Sequence, residues 1–245
     1  MIENYIIVRD YETGSVKPKT AQILELSACV IDVRSLTLVP DATFNSLIAP
    51  ASEEDMLKFG LDPLEDKALS KNNLSREKLK DAPSAKAVWQ DYTNWTKKFR
   101  KGSNIWRYPH VAGFNSSGFD DIIDVQCCER YGPKLNARGD LPIYHPVKFD
   151  ILPIVHNMFP CVKLNDSNSM SMDSIREYFG IDTEHAHRAL KDVLDCAFIM
   201  IKFWRLMKNL ECGDIEIAKG QRVRFKNSFT NENILIKDIL ANAKI

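Results

Sequence analysis

The chain has 245 residues, 44% of them hydrophobic, with 33 basic and 33 acidic residues that cancel at neutral pH. That length and apolar content suit one large packed domain or two small ones, and zero net charge excludes a general basic field for nonspecific binding to long nucleic acid. Six cysteines without C-x-x-C spacing predict buried, reduced thiols in a cytoplasmic protein and argue against a disulfide frame or a zinc site.

Residues 5–8 (YIIV) predict a strand that leads into Arg9-Asp10-Tyr11-Glu12-Thr13-Gly14. Asp10 and Glu12, two residues apart at the strand's end, project to the same face. Two carboxylates aimed at one point repel each other unless one is protonated or a hard divalent cation lies between them. The pair is therefore either half of a metal site or one of the solvated acid pairs that 33 acids supply by chance.

Polar residues 14–20, with Pro18, predict a loop. Residues 22–33 and 37–50 predict two further strands, joined at Arg34 and Ser35, so three successive antiparallel strands carry the acids. Residues 52–79 read as short charged helices, with starts at Ser52 and near Leu74. A longer helix is expected over 84–99, with Ala87, Val88, Tyr92, Trp95 and Phe99 at helical spacing. Lys97, Lys98, Arg100 and Lys101 cluster at its end, either as a solvated terminus whose cations suit the helix dipole or as a nucleic-acid contact. The dipole is the simpler reading.

Residues 110–115 (HVAGFN) predict a compact strand, and Ser116-Ser117-Gly118 a turn. A helix then opens at Phe119-Asp120-Asp121 and runs to about 131, its acids in the first turn. Residues 132–146 read as loop, and 147–150 lead into a helix to about 159. A short amphipathic helix over 171–179 stops at Gly180. After His185-Ala186-His187, a final helix reaches about 210; its apolar run 193–204 is broken by Asp195 and Lys202 and is too short to span a membrane. The tail changes character, with an exposed strand expected over 222–226 and a helix over 231–243. It reads as an appendage, 211–245, packed on a main domain, 1–210.

His187 and Asp192 are five residues apart, about 140° round a helix. They share a site only if His187 precedes the helix and Asp192 lies in its second turn. The order Asp-x-Glu, Asn-x-x-x-Phe-Asp, His-x-x-x-x-Asp resembles the DEDDh branch of the DnaQ-like 3′→5′ exonucleases over residues 4–210. QILELSACVID looks like that family's second strand, and SMDSIREYFGI followed by AHRALKDV like its last helix, loop and final motif. RDYETG and GFNSSGFDD look most like the nuclease domain of bacterial exonuclease I, although that protein is much longer. The second motif also differs, with Gly113-Phe114-Asn115 and wider spacing than the branch usually shows.

The resemblance implies an α/β, ribonuclease H-like mixed sheet, three antiparallel strands followed by parallel ones, flanked by helices. It implies that Asp10, Glu12, Asp120 and Asp192 hold two Mg²⁺ ions, with Mn²⁺ as a substitute, Asp10 as the bridge and His187 as general base in an in-line displacement. His185, seven before Asp192, misses that register, as do Asp121 and Asp195. Tyr11 and Thr13 are expected to offer backbone contacts to the terminal nucleotide and Phe119 to stack on a base. The expected activity is release of 5′-mononucleotides from the 3′ end of single-stranded DNA. An exoribonuclease of the same branch, an inactive nucleic-acid-binding module, and a proofreading partner bound to a polymerase remain open.

Overall fold

The structure is a computed structural model, described over residues 5–158, 170–181 and 188–211. The expected tail strand and helix, Cys161, Cys212, and both His185 and His187 lie outside the described residues. One compact unit, Met1–Ala197, carries the whole sheet and all four expected metal-binding acids.

Strands β1 (Tyr5–Thr13), β2 (Ile23–Asp32) and β3 (Thr37–Leu47) form an antiparallel meander. Three short helices follow, α1 (Glu53–Phe59), α2 (Asp66–Lys71) and α3 (Arg76–Leu79), and then the longer α4 (Ala85–Thr96). Strand β4 (His110–Gly113) pairs parallel to β1, and the two-residue β5 (Phe149–Asp150) pairs parallel to β4. The sheet order is β3-β2-β1-β4-β5, flanked by helices. This is the mixed ribonuclease H-like sheet that the motifs imply. Helices α5 (Asp120–Tyr131), α6 (Ile151–Met158), α7 (Met172–Phe179) and α8 (Ala189–Glu211) complete the described chain. Among the described residues no helix is long and apolar enough to cross a membrane.

Strand β1 runs five residues beyond the apolar stretch that predicts it. The extension is held by β2: Asp10 lies opposite Ser27 and Glu12 opposite Glu25, with the register shifting only between Glu12 and Thr13. Strand pairing thus makes Asp10 and Glu12 fixed strand residues, projecting to one face by the period of two. The alternate face carries Ile7, Tyr11, Leu26, Ala28 and Val30 into a core shared with Val88, Trp89 and Tyr92 of α4 and Ile123 and Cys127 of α5. The stretch 132–146, expected as loop, contributes Leu141, Ile143 and Tyr144 to the same core. The Tyr144 hydroxyl is hydrogen-bonded to that of Tyr92 at 2.6 Å, so neither buried phenol lacks a partner.

Parity puts Arg9 on this apolar face, where it is 1% exposed. An unpaired guanidinium there would be prohibitive. Its Nε and Nη2 donate to Asp124 Oδ2 of α5 at 3.0 and 2.8 Å, and Nη2 also pairs with Asp121. Tyr11 donates its hydroxyl to the other Asp124 oxygen at 2.5 Å. Two residues of β1 therefore grip the first turns of α5 and fix where Asp120 lies. Gly113, at the end of β4, makes room for the grip: a Cβ there would lie 2.8 Å from Arg9 Nη1 and 3.2 Å from the Arg9 carbonyl oxygen.

Gly113→Ala is expected to lower stability by about 1–3 kcal/mol, the usual penalty for overpacking a filled interior. Urea unfolding of the two proteins checks this.

Candidate active site

Asp10 and Glu12 leave the sheet on the face opposite the α4–α5 core. Helix α8 covers this face next to β2, where the Cys29 Sγ lies 4.0 Å from the Val193 carbonyl oxygen. That placement brings Asp192, in the first turn of α8, to the two strand acids. One carboxylate oxygen from each of Asp10, Glu12 and Asp192 falls within 4.8 Å of the others. Asp120, the first residue of α5, is 4% exposed, and its buried Oδ1 has no hydrogen-bond partner among the described residues.

The charges are strongly coupled. Burial is the largest cause holding the Asp10 carboxyl well above its ordinary range, followed by the charges of Asp120, Glu12 and Asp192, with Arg9 opposing. Burial likewise pushes Glu12 up to about 8, helped by Asp192 and Glu25 and opposed by Lys71. Asp120 is pushed to about 7 by burial, with Asp124 and Asp121 adding to it and Arg9 working against it. Without a cation these acids keep protons that free carboxylates would have lost. The donors are all hard oxygens, and one of them, on Asp120, is buried and unpartnered. Such a set suits hard divalent cations.

Two structural partners were not visible in the motif. Arg176 of α7, fully buried, donates Nη2 to Asp192 Oδ1 at 2.5 Å, Nε to Asp195 Oδ2 at 2.7 Å and Nη1 to Asp173 Oδ1 at 2.8 Å. It orients Asp192 while balancing part of the acidic charge. Asp195, out of register as a ligand, is therefore part of the support of the site. Glu25, with no exposed surface, lies beside Glu12 on β2 and has Arg188 Nη2 3.6 Å away, an ion-pair distance beyond hydrogen-bonding range. Burial raises its carboxyl, and Arg188 opposes the rise.

Asp10, Glu12 and Asp192 line a cavity of about 560 Å³, and Asp120 is not among its lining residues. Tyr11, Thr13 and Phe119 also line it, as do Lys67, Lys71 and Asn72 from α2 and the residue after it. Tyr11 is 4% exposed with its hydroxyl engaged by Asp124, which leaves its backbone to face the cavity. Thr13 donates its hydroxyl to the Ser15 carbonyl at 2.8 Å and accepts at its own carbonyl from Asn72 at 3.2 Å. Phe119 is half-buried at the mouth. The sequence marks 52–79 only as charged helical patches, so the approach of Lys67 and Lys71 to the acids was not legible from it.

No family model and no curated protein matches the sequence. Solved structures do resemble the fold. Exonuclease I of E. coli in complex with a dT13 oligonucleotide superposes with a TM-score of 0.63 at 17% identity, over 85% of this chain and 43% of that one. Its zinc-bound form with single-stranded DNA gives 0.63 at 16%, over 86% and 43%. Cell-death related nuclease 4 gives 0.62 at 14%, over 83% and 64%. The chain thus spans less than half of exonuclease I and under two thirds of the other nuclease. The resemblance to exonuclease I read from the motifs is matched by the same fold in three dimensions.

The folded pKa values of Glu12 and Asp120 exceed the unfolded ones, so the stability they contribute is present below about pH 4 and is lost as pH rises through about 7 to 8. In EDTA the melting temperature should fall across that window, and Mg²⁺ or Mn²⁺ should stabilise most at its alkaline end; metal-induced shifts that are equal at both ends would contradict this. Arg176→Gln is expected to weaken Mn²⁺ binding about 10- to 100-fold, as loss of a ligand's supporting partner does, measured by calorimetric titration.

Proposed function

We propose that this protein is a metal-dependent 3′→5′ exonuclease that removes 5′-mononucleotides from single-stranded DNA. The observation that carries the reading is the meeting of Asp10, Glu12 and Asp192 oxygens within 4.8 Å, in a cavity of about 560 Å³. The buried, unpartnered Oδ1 of Asp120, whose charge also bears on Asp10, adds a fourth donor. Further support comes from the shared fold with exonuclease I, a protein seen with dT13 and dA16 oligonucleotides.

Two Mg²⁺ ions, with Mn²⁺ as substitute, supply charge neutralisation and an activated water when bound. Asp10 would be the ligand shared by the two ions, the role that the resemblance implies, and the charges of Asp120, Glu12 and Asp192 all bear on it. Glu12, Asp120 and Asp192 complete the donor set, and Arg176 holds Asp192 in place. His187, five residues before Asp192, serves as general base on the motif's register; a neutral imidazole near pH 7 has the basicity for it. Lys67 and Lys71 offset the acids' repulsion of an entering phosphate. The backbone at Tyr11 and Thr13 receives the terminal nucleotide, and Phe119 offers its ring to a base.

End-labelled DNA and RNA of one sequence, incubated with Mg²⁺, test the reading. The DNA should shorten faster, from its 3′ end, with 5′-mononucleotides as product, whereas faster loss of RNA would make the protein an exoribonuclease. Asp10→Ala should lose about a thousandfold of the rate or more while the protein stays folded. Wild-type hydrolysis by that variant would place the chemistry elsewhere.

A further inference from the structure

Between Asp91 and Asp120 the chain carries five cations, Lys97, Lys98, Arg100, Lys101 and Arg107, and no acid. Because the whole chain is neutral, the remaining residues carry five more acids than bases. The charge is thus segregated, and the proposed function gives no role to its basic part. Two 3-10 turns, Lys97–Phe99 and Ile105–Arg107, set these residues in the connection from α4 to β4. Lys97, Lys98, Lys101 and Arg107 are exposed, and none of Lys97, Lys98, Arg100 and Arg107 is ion-paired with a carboxylate among the described residues.

Aromatic rings lie among them. Trp106 is 55% exposed, an unusual state for the largest apolar side chain, with its ring edge-on to His145 at 5.1 Å. Arg100 lies over the Tyr108 ring at 4.1 Å, and the Lys101 ammonium over the Tyr5 ring at 5.0 Å. A helix end that served only its dipole would need cations in one turn. Here they continue for eleven residues past α4, to Arg107, and alternate with rings.

We propose that the connection 97–108 is a second contact for single-stranded nucleic acid, binding its phosphates with Lys97, Lys98 and Arg107 and stacking a base on Trp106. The inference rests on the nuclease reading for its purpose: the connection holds the body of the polymer while the 3′ end occupies the carboxylate cavity. Tyr5, beneath Lys101, begins the strand that carries Asp10 five residues later, a separation of about 17 Å. A dinucleotide does not span that distance; an oligonucleotide of about 16 residues, within the length a single-strand site occupies, does. Exposed cations interleaved with aromatic faces suit a strand whose phosphates and bases alternate, and stacking of this kind accepts any base.

The test uses the full chain, with oligothymidylate of about 16 nucleotides and thymidylyl dinucleotide as probes. In EDTA, without turnover, the long strand should quench tryptophan fluorescence, and Trp106→Phe should remove most of the quench. Lys97→Gln, Lys98→Gln and Arg107→Gln together should weaken long-strand binding at least about tenfold and flatten its logarithmic salt dependence by about 2, at 0.7 per cation. With Mg²⁺ the same variant should raise KM for the long strand and leave dinucleotide hydrolysis unchanged. Binding of the long strand by the triple variant at wild-type strength would overturn the proposal. So would stronger quenching by polyglutamate, which would point to an acidic protein partner. Quenching through Trp106 in a protein that hydrolyses neither probe would uphold this contact and refute the nuclease reading.

Discussion

Buried negative charge at one end of the sheet is the constraint on which the rest of the structure depends. Asp10, Glu12, Asp120, Asp192, Asp195, Asp124 and Glu25 gather around the last turn of β1 and the first turns of α5 and α8. Such a cluster is tolerated only where opposite charge is supplied with good geometry. Two buried arginines supply it. Arg9 lies behind β1 and takes Asp124 and Asp121; Arg176 lies behind α8 and takes Asp192, Asp195 and Asp173. Each fixes a helix by the residues next to a candidate ligand.

The compensation is incomplete in a specific way. The arginines pair with the supporting acids and one oxygen of Asp192, while Asp10, Glu12 and the buried Oδ1 of Asp120 have no ion pair among the described residues. Their carboxyls are all held above the ordinary range, with burial as the largest cause. Arg9 and Lys71 oppose that rise only in part, and the three carboxyls form a hard-oxygen set of the kind that suits divalent cations. Lys67 and Lys71 line the same cavity and bring positive charge to it, that of Lys71 opposing the rise at Glu12.

Much of the fold, and the meeting of Asp10, Glu12 and Asp192 in the candidate site, were legible in the sequence. Apolar runs and turn residues mark the three-strand meander and the helices over 85–96, 120–131 and 172–179 to within a few residues. The spacing of Asp10 from Glu12 states that they share a face whatever surrounds them. Other features depend on partners more than a hundred residues away. Nothing near Arg9 announces Asp124; the available hint was its parity, a cation placed on the apolar face of a core strand. Arg176 gave a similar signal on the short amphipathic helix α7. The burial of Leu141, Ile143 and Tyr144 within a stretch rich in turn residues left no periodic trace, because an irregular segment has no period to show. The helix dipole, the simpler of the two readings of the 97–101 cations, explains their first turn but leaves Arg107 and the exposed Trp106 unaccounted for.

The central claim is that Asp10, Glu12, Asp120 and Asp192 together hold two divalent ions. Crystals grown with Mn²⁺ and thymidine 5′-monophosphate test it most directly, since anomalous scattering locates each ion without reference to activity. The account predicts two peaks about 3.5 to 4 Å apart, bridged by Asp10, with the nucleotide phosphate against them. No peak, or manganese bound only at acids outside these four, would contradict it.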